Sequence, residues 1–246
     1  MFFRARSIRS LMAVMVGLPI LLSTWMVYSA DPETKSAPNS ASIEALREFN
    51  GLIGNWRGIG QVKRGSPQGA WQEKAELVWE LKSKSTGIRF NVDDGKEWKS
   101  ALLTYDVALK QFLLTATLPD DTSRTYQGKL QDKRLVLEGL DAKKEVHRLT
   151  LTLLNENRIL ILFEKRPEQQ SFFTRTGEVG YQRQGTKLAA VGGSGPVCVV
   201  TGGAGTIPVM HKGKTYYVCC TGCRDAFNDD PEGILETYEK QKSAPK

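Results

Sequence analysis

All four cysteines of the 246-residue chain fall within its last fifty or so residues: Cys198, Cys219, Cys220 and Cys223. Cysteine thiolates are nucleophiles and ligands for soft or borderline metal ions. Twenty residues separate Cys198 from Cys219, and three separate Cys219 from Cys223. Between them, residues 209–211 and 215–218 read as two short strands joined by Lys212-Gly213-Lys214, a hairpin that delivers Cys219 at its end. Residues 221–228 read as a short helix. Asp229-Asp230-Pro231 breaks it and opens a second helix over residues 231–240, with proline at an early helical position. Cys223 then stands in the first turn of a helix, where the dipole and the free N–H groups favour a thiolate. A loop cysteine, a strand-end cysteine and a helix-start cysteine can converge on one cation.

The candidate ligands are therefore Cys198, Cys219 and Cys223, with Cys220 auxiliary. Three thiolates suit Cu(I) in trigonal coordination, whereas zinc requires a fourth donor, which Cys220 or His211 could supply. A plain hairpin-surface histidine is an equally good reading of His211. A disulfide framework competes with the metal site, because four cysteines in an oxidising compartment can pair. Cys219 with Cys223, or Cys198 with Cys220, could cross-link. The adjacent Cys219-Cys220 suits a ligand cluster better than a conventional bridge.

The run Gly213-Lys214-Thr215-Tyr216-Tyr217-Val218-Cys219-Cys220-Thr221-Gly222-Cys223, followed by Phe227 and Asp230-Pro231, resembles the YHS and TRASH group of small treble-clef-like metal-binding modules. Pro196-Val197-Cys198 resembles the opening of that group. The resemblance covers residues 196–240 and implies binding of a copper or zinc ion in metal sensing, trafficking or resistance. Carried over, the family's ligands match Cys198, Cys219 and Cys223. The glycine-rich loop of residues 201–206 departs from the family pattern.

Something must hold this segment in place, since fifty residues bury too little apolar surface to be comfortable alone. From Trp56 to Arg183 the sequence has period two. Ala75, Leu77, Trp79 and Leu81 share one face, as do Ile88, Phe90 and Val92, then Phe112, Leu114, Ala116 and Leu118, then Leu149, Leu151 and Leu153. Such alternation buries one side of an antiparallel strand and wets the other. Asp94-Gly95, residues 106–110, Asp120-Asp121 and residues 155–157 supply turns. About nine or ten strands at this spacing imply a barrel or a sandwich, and a closed barrel is preferred because it removes exposed edges. The expected fold class is mainly β: a lipocalin-like antiparallel β-barrel over residues 42–184, then a linker over 185–196, then a small α+β cysteine module over 197–246. Ser42 is expected to cap a short helix before the barrel, with Ile43, Leu46 and Phe49 on one face and Asn50-Gly51 at its end.

Gly54-Asn55-Trp56-Arg57-Gly58 resembles the opening of lipocalin-like barrels, including the nitrobindin-type haem barrels. Those barrels use a histidine near the last strand, and none occurs around residues 177–183, so haem is not expected. His147 shares parity with Leu149 and is expected to face inward. The barrel interior either holds a small apolar ligand or is filled by Trp79, Phe90, Phe112 and their neighbours, and filling is the default.

Residues 1–30 read as a signal peptide or an N-terminal membrane anchor. Arg4, Arg6 and Arg9 precede an apolar run over residues 11–27, and a small-residue cleavage site follows at Ser29. Residues 31–41 read as a spacer. An exported protein, periplasmic or secreted, is expected. The formal charge is +7, but 31 basic residues face 27 acidic ones once those three arginines are set aside. That mild excess, with no Lys/Arg run interleaved with aromatics, gives a nucleic-acid partner no support. No catalytic constellation is legible. The two histidines are far apart, and Gly202-Gly203-Ala204-Gly205 lacks the Lys-Ser/Thr of a phosphate loop. The sequence therefore points to a binding protein rather than an enzyme.

Overall fold

The computed structural model describes residues 40–82, 85–185 and 195–243. The expected signal or anchor segment and residues 31–39 of the expected spacer lie outside these, as does most of the expected second linker. No helix among the described residues is long and apolar enough to cross a membrane.

Helix α1 (Ser40–Leu46) runs directly into a 3-10 helix (Arg47–Leu52). The first expectation to change is the role of Ser42. The helix starts two residues earlier, so Ser42 lies inside it and is buried rather than capping it. Its hydroxyl donates instead to the Tyr105 carbonyl at 3.2 Å. The 3-10 turn also carries the chain past Asn50-Gly51 to Leu52. This lets Leu46, Phe49 and Leu52 all insert, each fully buried, into the barrel core. Phe49 meets Phe112 edge-on with centroids 5.3 Å apart.

Ten strands follow: β1 (Gly54–Gln61), β2 (Trp71–Lys82), β3 (Ser85–Asp93), β4 (Ser100–Asp106), β5 (Gln111–Thr117), β6 (Ser123–Gln131), β7 (Arg134–Leu140), β8 (Glu145–Asn155), β9 (Arg158–Pro167) and β10 (Thr174–Arg183). Each pairs antiparallel with the next, and β1 pairs with β10 to close the barrel. Turn chemistry places the corners. Asp94 and Asp121 adopt left-handed backbone at φ 61° and 65°, a region that short polar residues reach most readily among non-glycines, and Lys110 joins them at φ 51°. The closing ladder is clasped by Arg183. Its guanidinium lies 4.2 Å from the Trp56 ring centroid and donates to the carbonyls of Ile53 at 2.7 Å and Glu156 at 2.8 Å.

Period-two burial runs as expected along the strands, and on β2 it reads buried at Trp71, Glu73, Ala75, Leu77 and Trp79. The interior is packed. A cavity of about 10 Å³ bordered by Trp56, Leu77, Phe90 and Tyr181 has room for roughly one water molecule. One polar set interrupts the apolar core. Glu73 accepts the Trp71 indole N–H at 2.6 Å and the Tyr181 hydroxyl. Gly58 makes room for it: a Cβ there would stand 2.8 Å from both Glu73 Cγ and the Tyr181 ring. The nearby strand position Gly60 likewise leaves space for the Trp71 ring.

Burial pushes the Glu73 carboxyl above its usual 4.5, against the pull of the Tyr181 and Trp71 donors. An acid raised in the folded state lowers stability as pH climbs from its unfolded value through its folded one. Glu73→Gln removes that ionisation while keeping a group that accepts from Trp71 and donates to Tyr181 Oη. Thermal melts of the full chain should therefore show the variant gaining on the native protein as pH climbs from about 4.5 through the raised titration of Glu73. A difference independent of pH would contradict this.

The C-terminal segment forms a hairpin, β11 (Ile207–His211) and β12 (Lys214–Val218), then α2 (Thr221–Asp229) and α3 (Pro231–Ser243). Lys212 and Gly213 have φ 47° and 74°, the signature of a two-residue hairpin turn. Val209, Val218, Cys223 and Phe227 are buried and belong to the same apolar cluster as the barrel.

Candidate metal centre

The hairpin ends at Val218, so Cys219 is released at the end of β12, and Cys223 follows in the first turn of α2. Cys198 is brought in by the glycine loop. Its N–H donates to the Gly203 carbonyl at 2.7 Å, and the Gly202 N–H returns to the Cys198 carbonyl at 2.9 Å. Gly202 takes φ +76° to close that turn. The result is convergence of three sulfurs: the Sγ atoms of Cys198, Cys219 and Cys223 all lie within 4.8 Å of one another. Cys219 Sγ and Cys223 Sγ are 3.5 Å apart. Cys198 and Cys223 are fully buried, while Cys219 is half-buried.

Two expected donors stand elsewhere. Cys220 is outside the three-sulfur group because its side chain turns toward the barrel, where Sγ accepts the Trp79 backbone N–H at 3.3 Å. His211 packs edge-on against Phe227, and its Nε2 is 4.0 Å from Glu232 Oε1. Hairpin geometry explains this: His211 sits at the turn end of β11, opposite Lys214, while the thiols gather at the other end beyond Val218.

The thiols titrate as one set. Hydrogen bonds from Cys219 and then Cys223 hold Cys198 well below the usual thiol range. Cys220 is lowered in the same way, first by Cys219. Burial, above all, pushes Cys223 up, and donation to Cys198 pushes Cys219 up. A cation would replace the shared protons with one positive centre, the chemistry by which thiolate sites take up metal and release protons.

Comparison with known proteins adds little. No family model and no curated protein matches the chain. Among solved structures, the S-type phycobiliprotein lyase of Guillardia theta is similar over 59% of this chain and 94% of its own, at 12% identity and TM-score 0.37. Nothing about ligand or activity transfers at that score. The fold is established by its own strand pairing as mainly β, a closed ten-stranded antiparallel barrel carrying a small cysteine-containing α+β segment. The likeness of residues 196–240 to YHS and TRASH modules rests on the motif itself.

Thr201 was missed by sequence reasoning. It is fully buried, and its hydroxyl lies 3.5 Å from both Cys198 Sγ and Cys219 Sγ. The only sequence signal is its place three residues after Cys198, at the head of the glycine-rich loop. Glu73 was missed too, although it continues the Ala75, Leu77 and Trp79 parity by one more step.

The other histidine belongs to a turn. His147 sits at the rim by the β7–β8 turn rather than deep among the core leucines, with Nε2 2.9 Å from Asp141 Oδ2. Desolvation raises the Asp141 carboxyl, but the Glu145 backbone N–H and His147 outweigh it and hold the group down to about 2. Glu145 lies close by and is engaged by Lys165 Nζ at 3.1 Å. This set is an ion-paired corner.

Proposed function

We propose that the protein is an extracytoplasmic metal-binding protein, a carrier, buffer or sensor of copper or zinc, whose ion is held by Cys198, Cys219 and Cys223. The observation that carries this reading is the mutual approach of three sulfurs from three different elements. A single disulfide uses two of them and strands the third. A three-thiolate set favours Cu(I), whereas zinc would draw on the neighbouring Cys220 thiol as a fourth donor and pull it from the Trp79 N–H. Native mass spectrometry of protein purified from its own compartment should find one ion per chain and four reduced thiols. A metal-free protein lighter by two protons per cysteine pair would sink the reading.

A second reading, a barrel that binds a small apolar ligand, has one observation in its favour. The Trp71, Glu73 and Tyr181 set is polar and lies inside an apolar barrel, with the buried Trp98 indole beside Tyr181. Convergent polar groups with a perturbed carboxyl are what ligand-binding barrels display. The packed interior weighs against it. Titration with a fluorescent apolar probe decides: saturable binding lost in Glu73→Gln supports the ligand reading, and the absence of binding removes it.

A further inference from the structure

The cysteine segment and the barrel meet at two residues far from it in sequence, Asn50 and Trp79. The Trp79 indole N–H donates to Asn50 Oδ1 at 3.2 Å. Asn50 Nδ2 donates to the Thr201 carbonyl at 2.9 Å. Thr201 Oγ1 donates to Cys198 Sγ and contacts Cys219 Sγ, each at 3.5 Å. A continuous chain thus runs from a fully buried barrel tryptophan to two of the three sulfurs. Space around it is tight, since a Cβ on Gly203 would lie 3.1 Å from Asn50 Cγ.

A threonine hydroxyl has one proton to donate and lone pairs to accept with. Between two sulfurs it can neutralise part of the charge on only one thiolate at a time, so its position selects which sulfur carries more charge. A buried hydroxyl is costly to place unless satisfied, and here the sulfurs and the Asn50-anchored backbone fix it. Two charged thiolates in a buried site need such donors, because water is excluded from Cys198 and Cys223.

Resting on the metal reading above, we propose that Thr201 is a positioning residue of the metal centre and that the barrel, through Asn50, holds it in place. The barrel is then part of the binding site and not merely its carrier. Outer hydrogen-bond partners of metal ligands are typically worth 10- to 100-fold in affinity.

The test uses the reduced full chain and Co(II) as the probe ion, read by its sulfur-to-cobalt charge-transfer absorption and by competition with a chelator. Thr201→Val is isosteric and should lower Co(II) affinity roughly 10- to 100-fold and move the charge-transfer band. Thr201→Ser should restore both to within about threefold. Asn50→Asp keeps the acceptor for Trp79 but loses the donor to Thr201, and should fall between the two. If Thr201→Val binds and absorbs like the native protein, the inference is overturned. If Thr201→Ser fails as badly as Thr201→Val, a packing role replaces the hydroxyl role and the inference is again overturned. If the native chain itself takes up neither Co(II) nor Cu(I), the metal reading falls, and this inference with it.

Discussion

Cys223→Ser should cost the protein its ion while leaving the barrel folded. Cys223 is one of the two fully buried thiols of the converging three, on a helix whose other buried residue is Phe227. Serine replaces sulfur with a hydroxyl that stays protonated, so the site loses both a charge and a soft donor. Thiolate sites that fold around zinc carry apparent binding free energies of about 10 kcal/mol or more. Losing one donor of three removes roughly a third of that, about 3 kcal/mol, or on the order of 100-fold in affinity. Competition against a chelator of known strength measures the loss, and the far-ultraviolet spectrum checks the barrel. Unchanged affinity would remove Cys223 from the ligand set.

Gly222→Ala should detach the cysteine segment from the barrel wall. A Cβ at Gly222 would stand 1.7 Å from the Trp79 carbonyl oxygen and 2.8 Å from its carbon. That oxygen belongs to a central residue of β2, paired with Ile88 on β3, and cannot swing aside as a flexible side chain could. Two effects oppose each other. Alanine favours a helix over glycine by about 1 kcal/mol, whereas forcing a methyl into closed backbone costs typically 1–3 kcal/mol and sometimes more. At this separation the clash dominates. The segment must back away, which breaks the Trp79 to Cys220 hydrogen bond. With the clash near the upper end of that range, the net loss is about 2 kcal/mol and the melting temperature should fall by about 4–8 °C, at about 2–4 °C per kcal/mol for a chain of this size. Alkylation of the buried thiols should quicken as well. A Gly222→Ala protein that melts like the native one and shields its thiols equally would refute the docking.

Much of this was legible in the sequence. The barrel declared itself through alternation, because a strand with one buried face repeats every second residue regardless of what it packs against. Asp94-Gly95 and Asp120-Asp121 showed corners, because left-handed backbone favours Asp and Gly. The three converging cysteines were marked by their types and spacing. What stayed hidden were pairings across the chain. Asn50 and Thr201 are 151 residues apart, and Trp79 and Cys220 are 141 apart. No local pattern encodes such a contact. Cys220 looked like a helper ligand because adjacency in sequence says nothing about direction, and neighbouring side chains leave the backbone on opposite sides. Asn50 looked like a helix terminator, its commonest use, because its two amide contacts lie in other elements. Glu73 was concealed by its charge, although its place on the buried face of β2 was readable from Ala75 and Leu77.

Closure of the barrel by β1 and β10 has a consequence for how the chain reaches this state. Nine of the ten barrel ladders join strands consecutive in sequence, and each can zip from a short turn. The tenth must bring Trp56 opposite Arg183. Loop-closure entropy makes that search the slow step in assembly. The Arg183 clasp over Trp56 therefore forms late. Because Arg183 also ties down the Ile53 carbonyl, the chain entering β1 is anchored by the same long-range seam.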